Sequence, residues 1–184
     1  AIELKPDYAE VYDNLGLALQ KEGKTGEAVK CHKRAITLKP DFVEAFCNLG
    51  TAFQGLGRLD EAIDMYERAA ALRPDYVIAY NNMGDVFKMQ GNHVQAEASY
   101  VKSLKIEPDN ATVYGNLGIV LHEQGRLDEA ITHYRQAITL KPDYAEVHSN
   151  LGAALQEQGK LPEAVASSSR ATALKPDFAL AHLN

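Results

Sequence analysis

The sequence predicts an all-α, elongated array of antiparallel helix pairs, and three observations carry that expectation. Asparagine recurs every 34 residues, at Asn14, Asn48, Asn82, Asn116, Asn150 and Asn184, and in the first five copies Leu or Met and then Gly follow it. A fixed period between about 20 and 50 residues is the mark of a repeat array. Within each period the apolar residues form two groups at three- and four-residue spacing, which is the helical period. Finally, a glycine separates the two groups and a proline closes each period.

The full repeats are read as Ala9–Phe42, Val43–Tyr76, Val77–Asn110, Ala111–Tyr144 and Ala145–Phe178. In the second of these, Ala45, Phe46, Leu49, Ala52 and Phe53 mark the first helix, and Ala62, Ile63, Tyr66, Ala69 and Ala70 mark the second. Gly23, Gly57, Gly91, Gly125 and Gly159 stand just past the first helix, where glycine supplies the left-handed conformation that ends it. Pro6, Pro40, Pro74, Pro108, Pro142 and Pro176 halt the second helix, since proline cannot continue it. Asp7, Asp41, Asp75, Asp109, Asp143 and Asp177 come next and are expected to cap the following helix. Asp7/Glu10, Asp41/Glu44 and Asp143/Glu146 form an acidic relative of the capping box. Pro162 opens a second helix, where a missing N–H costs nothing.

Small residues have a packing role in this reading. Gly16, Gly50, Gly84, Gly118 and Gly152 lie inside the first helix, where glycine costs about 1 kcal/mol against alanine. Facing Ala28, Ala62, Ala96, Ala130 and Ala164, they are expected to let the paired helices approach closely. Tyr12, Phe46, Tyr80 and Tyr114, with Tyr66, Tyr100 and Tyr134, are assigned to the core. His148, Ser168 and His182 stand where aromatics are expected, so the last repeat is predicted to be looser.

Composition narrows the function classes. The 184 residues are 46% hydrophobic and 24% charged, ordinary material for a folded chain. A net charge of -6 argues against a nucleic-acid backbone binder, which needs clustered Lys and Arg. No apolar run approaches the roughly 18 residues that a membrane span requires, so no membrane partner is expected. Cys31 and Cys47 fall at unrelated points of the repeat and suggest no disulfide framework, so a reduced, cytoplasmic setting is the expectation. Ala1–Tyr8 parallels the end of a repeat and Ala179–Asn184 the start of a sixth, so the chain reads as part of a longer array. Ends without polar caps suggest head-to-tail self-association.

The pattern of Phe46, Leu49, Gly50, Phe53, Ala62, Tyr66, Ala69 and Pro74 resembles the tetratricopeptide repeat, and the resemblance covers the whole chain. Departures are small: Leu19, Leu121 and Leu155 replace the aromatic of Phe53, and Ser103 replaces the alanine of Ala69. The resemblance implies a right-handed superhelical solenoid whose first helices line a concave groove that binds peptides or extended protein segments. In some chaperone-binding members a lysine, asparagines and an arginine clamp a terminal carboxylate. Here the place of the clamp lysine holds Asp13, Cys47, Asn81, Gly115 and Ser149, and the place of the arginine is always asparagine. That clamp is absent. The asparagine series with its Asn-Leu-Gly cores is similar to the repeats of O-linked N-acetylglucosamine transferases and SPINDLY-type proteins. There the asparagines hold the backbone of an extended substrate.

Two readings of Asn14, Asn48, Asn82, Asn116 and Asn150 therefore compete: local bridges between helices, or amides presented to a bound segment. Gln54, Asp85, Lys88 and His122 lie around them and complete the candidate peptide-binding set. The expected function is a protein-interaction scaffold for an extended protein or peptide partner. The alternative is the substrate-recruiting arm of a larger glycosyltransferase.

Catalysis, metals and cofactors find no foothold in the sequence. His122-Glu123 lacks the second histidine of a zinc-protease helix, and the six histidines share no ligand spacing. Ser167-Ser168-Ser169 has no Gly-x-Ser-x-Gly elbow around it. Gly55-Leu56-Gly57 follows no predicted strand and cradles no phosphate.

Overall fold

A computed structural model describes residues 7–175. Among them are ten helices and no strand. They run α1 Asp7–Lys21, α2 Thr25–Leu38, α3 Val43–Gly55, α4 Leu59–Leu72, α5 Val77–Met89, α6 His93–Ile106, α7 Ala111–Glu123, α8 Leu127–Leu140, α9 Ala145–Glu157 and α10 Leu161–Leu174. Contacts divide the chain into two compact units between Gln90 and Gly91. In the first unit α1 packs on α2 and α3 on α4, each as an antiparallel pair, and α5 lies on α4. In the second, α7 packs on α8 and α9 on α10, and α6 lies against α7. Pro6, Pro176, Asp177, His182 and Asn184, with residues 1–6 of the first partial repeat and the whole of the last, lie outside the described residues.

The turn inside each pair is closed by backbone chemistry. In the second repeat Gly57 has φ +71° and donates to the Gln54 carbonyl at 3.0 Å, while the Arg58 N–H reaches back to Phe53 at 2.9 Å. This is the paired-bond motif in which a left-handed glycine satisfies the last helical carbonyls. Gly23, Gly91, Gly125 and Gly159 share the positive φ.

The joins between pairs differ from the sequence expectation. Helices α3, α5 and α9 are preceded by Phe42, Tyr76 and Tyr144, and none of these makes a side-chain cap. Asp41, Asp75 and Asp143 lie one residue earlier, exposed, inside a β-turn closed by the N–H of the aromatic. Phe42 donates to Lys39 at 3.1 Å, Tyr76 to Arg73 at 3.0 Å and Tyr144 to Lys141 at 3.2 Å. Proline therefore holds the second turn position, which its fixed φ suits, and the aspartate follows it. The capping-box glutamates have other partners: Glu44 accepts from Arg73 at 2.8 Å, and Glu146 pairs with Lys175. Only the join before α7 carries a side-chain cap among these four, from Asn110, whose Oδ1 accepts from the Val113 N–H at 3.1 Å. Asp109 is bypassed there too. Pro162 does stand in the first turn of α10.

The core aromatics are placed as expected. Tyr66, Tyr100 and Tyr134 are fully buried, as are Phe46 and Tyr80, while Tyr12 and Tyr114 are half-buried. His148 fills its aromatic position well: it is buried, and its Nε2 donates to the Pro142 carbonyl at 3.0 Å, matching Tyr80 Oη on Pro74 at 3.1 Å. The looseness predicted for the last repeat is confined to α10, where Ser168, Leu161 and Val165 are exposed.

A ring faces Gly16, Gly50 and Gly118, whereas Gly152 faces Ser168 and the Ala164 carbonyl. A Cβ on Gly50 would lie 2.6 Å from the Tyr66 ring, one on Gly118 2.5 Å from Tyr134, and one on Gly16 2.5 Å from the imidazole of His32. The alanines are buried beside this contact, but the aromatic four residues later is what the missing side chain makes room for. Gly50→Ala should therefore lower stability by about 1–2 kcal/mol in urea unfolding, because overpacking against a buried ring exceeds the gain in helix propensity.

Candidate functional site

The ladder asparagines sit where neighbouring first helices meet. In the first unit α1 touches α3 and α3 touches α5. Asn48 and Asn82 are half-buried there, while Asn14 is exposed. Asn48 Nδ2 donates to Asp13 Oδ2 at 2.9 Å, and Asn82 Nδ2 donates to Cys47 Sγ at 3.5 Å. Both bonds span 35 residues, one period plus one. The acceptor thus occupies the position of the absent clamp lysine. One N–H of each amide is committed to the preceding repeat; Asn48 retains a second donor and its carbonyl oxygen, whereas Asn82 also bonds the Tyr66 hydroxyl and retains its carbonyl oxygen.

Behind this row lies a buried polar layer that sequence spacing did not single out. His32 is fully buried and Asp13 nearly so. Asp13 Oδ1 lies 2.6 Å from His32 Nδ1, and Gln20 Oε1 lies 3.1 Å from His32 Nε2. An ionised carboxylate only accepts, so the Nδ1 proton makes the first of these bonds. One period later Tyr66 takes the place of His32. Its hydroxyl donates to Gln54 Oε1 at 3.1 Å and lies 3.2 Å from Thr51 Oγ1. Burial, above all, raises its pKa, and hydrogen bonds from Thr51 and Asn82 oppose the rise. Gln54 also donates to Met89 Sδ at 3.4 Å, which ties α3 to α5. The signal that could have found His32 was its register: residues 32, 66, 100 and 134 share one repeat position.

The remaining candidates in the first unit lie on α5, where Lys88 and Asp85 are 3.8 Å apart. In the second unit Asn116 and Asn150 are half-buried on α7 and α9, which are in contact. His122 Nε2 lies 2.9 Å from Glu157 Oε1, joining the same two helices. Gln54 thus ties α3 to α5 in one unit, and His122 ties α7 to α9 in the other.

Sequence profiles described as TPR repeat match residues 21–57 and 119–159, and those described as tetratricopeptide repeat match 42–109 and 99–132. Together they run without a gap from residue 21 to residue 159. The chain belongs to the tetratricopeptide repeat family. None of the curated proteins compared matches it. Among solved structures, a crystal structure of MamA is 24% identical over 89% of this chain and 96% of its own, with a TM-score of 0.81. MamA from Desulfovibrio magneticus RS-1, residues 41 to the end, is 21% identical over 93% of this chain and 97% of its own, at 0.84. YrrB, described as a TPR protein with an unusual peptide-binding site, is 20% identical over 92% of this chain and 88% of its own, at 0.75. These likenesses establish the fold.

The two cysteines of this tetratricopeptide chain differ in environment. Burial pushes the Cys47 thiol up to about 12, against the hydrogen bond from Asn82 and with a smaller push from Glu44. Cys31 is half-buried, and burial and Glu27 raise it also. Iodoacetamide at mildly alkaline pH should label Cys31 in the folded chain and spare Cys47 until denaturant is added, as read by mass spectrometry of the digest. The Cys47 pKa is higher folded than unfolded, so from about pH 9 to about 12 the unfolded chain sheds a proton that the folded chain keeps. Stability should fall with rising pH across that window.

Proposed function

We propose that this chain is a protein-interaction scaffold that holds an extended peptide or protein segment along its first helices. The contacts assigned to the segment are Asn14, Asn48, Asn82, Asn116 and Asn150, with Gln54, Asp85, Lys88 and His122 beside them. What carries the reading is the state of the amides: Asn48 and Asn82 are half-open to solvent and each is oriented by one bond to the preceding repeat. An oriented amide that keeps its carbonyl oxygen free, and in Asn48 a second donor as well, suits a peptide backbone, which offers a donor and an acceptor per residue. The bond to the preceding repeat also satisfies the bridge reading, and the two roles are compatible because they use different atoms of the same amide. The peptide-binding site described for YrrB supports the class of ligand. The narrower reading, an arm that recruits substrates to a glycosyltransferase, rests on the likeness of the asparagine series alone.

The double substitution Asn82→Ala, Asn116→Ala should leave helicity intact and weaken partner binding by about 1–3 kcal/mol, from lost side-chain hydrogen bonds. Affinity capture of wild type and double variant, compared by circular dichroism and mass spectrometry, tests this. An identical catch would remove the asparagines from the binding surface.

A further inference from the structure

One trough of the second unit differs in bulk and in charge from its counterpart a period earlier. It holds about 490 Å³ between α8 and α10, over α9. Leu151 and His148 form its floor, Ile138 and Arg135 stand on one wall, and Ser167 and Arg170 on the other. Both floor residues are buried and both arginines are exposed. In the corresponding place between α6 and α8, Tyr114 of α7 stacks on His133, with ring centroids 5.8 Å apart. One period on, His148 stands for Tyr114 and Ser167 for His133. His148 is tied by Nε2 to the Pro142 carbonyl at 3.0 Å, and the serine offers no ring to meet it. One ring lost and one shortened leave the trough open.

Its walls change as well. Arg135 and Arg170 stand for Val101 and Gln136, and Thr139 for Lys105, so two guanidiniums replace one ammonium. Arg135 Nη2 donates to Glu163 Oε2 at 2.7 Å, an ion pair that links α8 to α10 and steadies this guanidinium. Arg170 has no ion-pair partner among the described residues. One positive charge is therefore uncompensated beside the apolar side chains of Ile138 and Leu151. A guanidinium can bind a single carboxylate through two parallel N–H···O bonds, a fork that an ammonium lacks. Ligand pockets for small molecules enclose most of the ligand, which these exposed walls do not. The carboxylate that suits them is one presented by a larger partner.

We propose that this trough docks an acidic segment of a partner protein. A Glu or Asp carboxylate lies on Arg170, and an adjacent apolar side chain lies against Ile138 and Leu151. The site shares no residue with the asparagine set and does not depend on it.

The test titrates the whole isotope-labelled chain with the peptide acetyl-Ser-Gly-Glu-Leu-Gly-Ser amide and with its Gln counterpart, following backbone amide shifts by NMR. The Glu peptide should shift amides of α8, α9 and α10 around the trough, and the Gln peptide should bind about tenfold more weakly (roughly 1.4 kcal/mol). Arg170→Gln should weaken the Glu peptide by about tenfold as well, while Asn82→Ala, Asn116→Ala leaves its binding unchanged. The pair His148→Tyr, Ser167→His rebuilds the ring stack of the preceding repeat and should abolish binding; should thermal unfolding show that pair misfolded, Arg170→Gln decides alone. Equal binding of the Glu and Gln peptides, shifts that spare α8 and α10, or no shift with either peptide would overturn the site. Tighter binding of a phosphoserine counterpart would overturn the carboxylate as its occupant.

Discussion

The contact on which the helix pairs depend is a ring of the second helix laid on a bare stretch of the first. Tyr66 covers Gly50, Tyr134 covers Gly118 and His32 covers Gly16, each at a distance that a Cβ could not share. Close packing of a planar ring on exposed backbone sets how near the two helices lie and fixes their rotation, because the glycine is one residue wide. The cost of glycine in a helix interior, about 1 kcal/mol, is offset by burial of a large aromatic surface. Gly152 meets Ser168 instead of a ring.

The same contact links packing to the candidate site. A ring that passes beneath the first helix carries its polar end to the far side, where the hydroxyl of Tyr66 meets Gln54 and the imidazole of His32 meets Gln20 and Asp13. The polar layer under the asparagines is thus a by-product of core geometry. Its occupants vary from repeat to repeat while the ring position does not. A scaffold of this kind can alter what it offers to a partner by changing a few residues of one register, with no change in helix packing.

The joins between repeats show a second economy. In three of them a cation lies over the aromatic that closes the turn: Lys39 on Phe42 at 4.7 Å, Arg73 on Tyr76 at 5.0 Å and Lys141 on Tyr144 at 4.8 Å. Lys39 and Arg73 also reach a glutamate of the preceding first helix, Glu10 and Glu44. Where Glu107 and Asn110 replace the cation and the aromatic, Asn110 Nδ2 bonds Glu107 at 3.2 Å and its carbonyl oxygen caps the next helix. Two solutions to the same chain reversal coexist in one protein.

Sequence by itself determined the helices, their order and their ends. Helices α3, α5, α7 and α9 begin at Val43, Val77, Ala111 and Ala145, one period apart, and the turn glycines take the positive φ their position implies. These features follow from interactions within a few residues, the sterics of glycine and proline and the helical spacing of apolar side chains, so the local pattern suffices. The buried aromatics were legible for the same reason. Tertiary structure decided which groups meet across 12 to 35 residues: that rings face Gly16, Gly50 and Gly118, that glutamates pair with turn cations and leave capping unfilled, and that Asn48 and Asn82 reach back to Asp13 and Cys47. Such partners depend on the rotation and separation of packed helices, which no spacing in the chain encodes. The unsatisfied hydroxyl of Tyr134 belongs to that second group: Ile119 stands where Thr51 meets the Tyr66 hydroxyl, and His122, in the place of Gln54, is turned to Glu157.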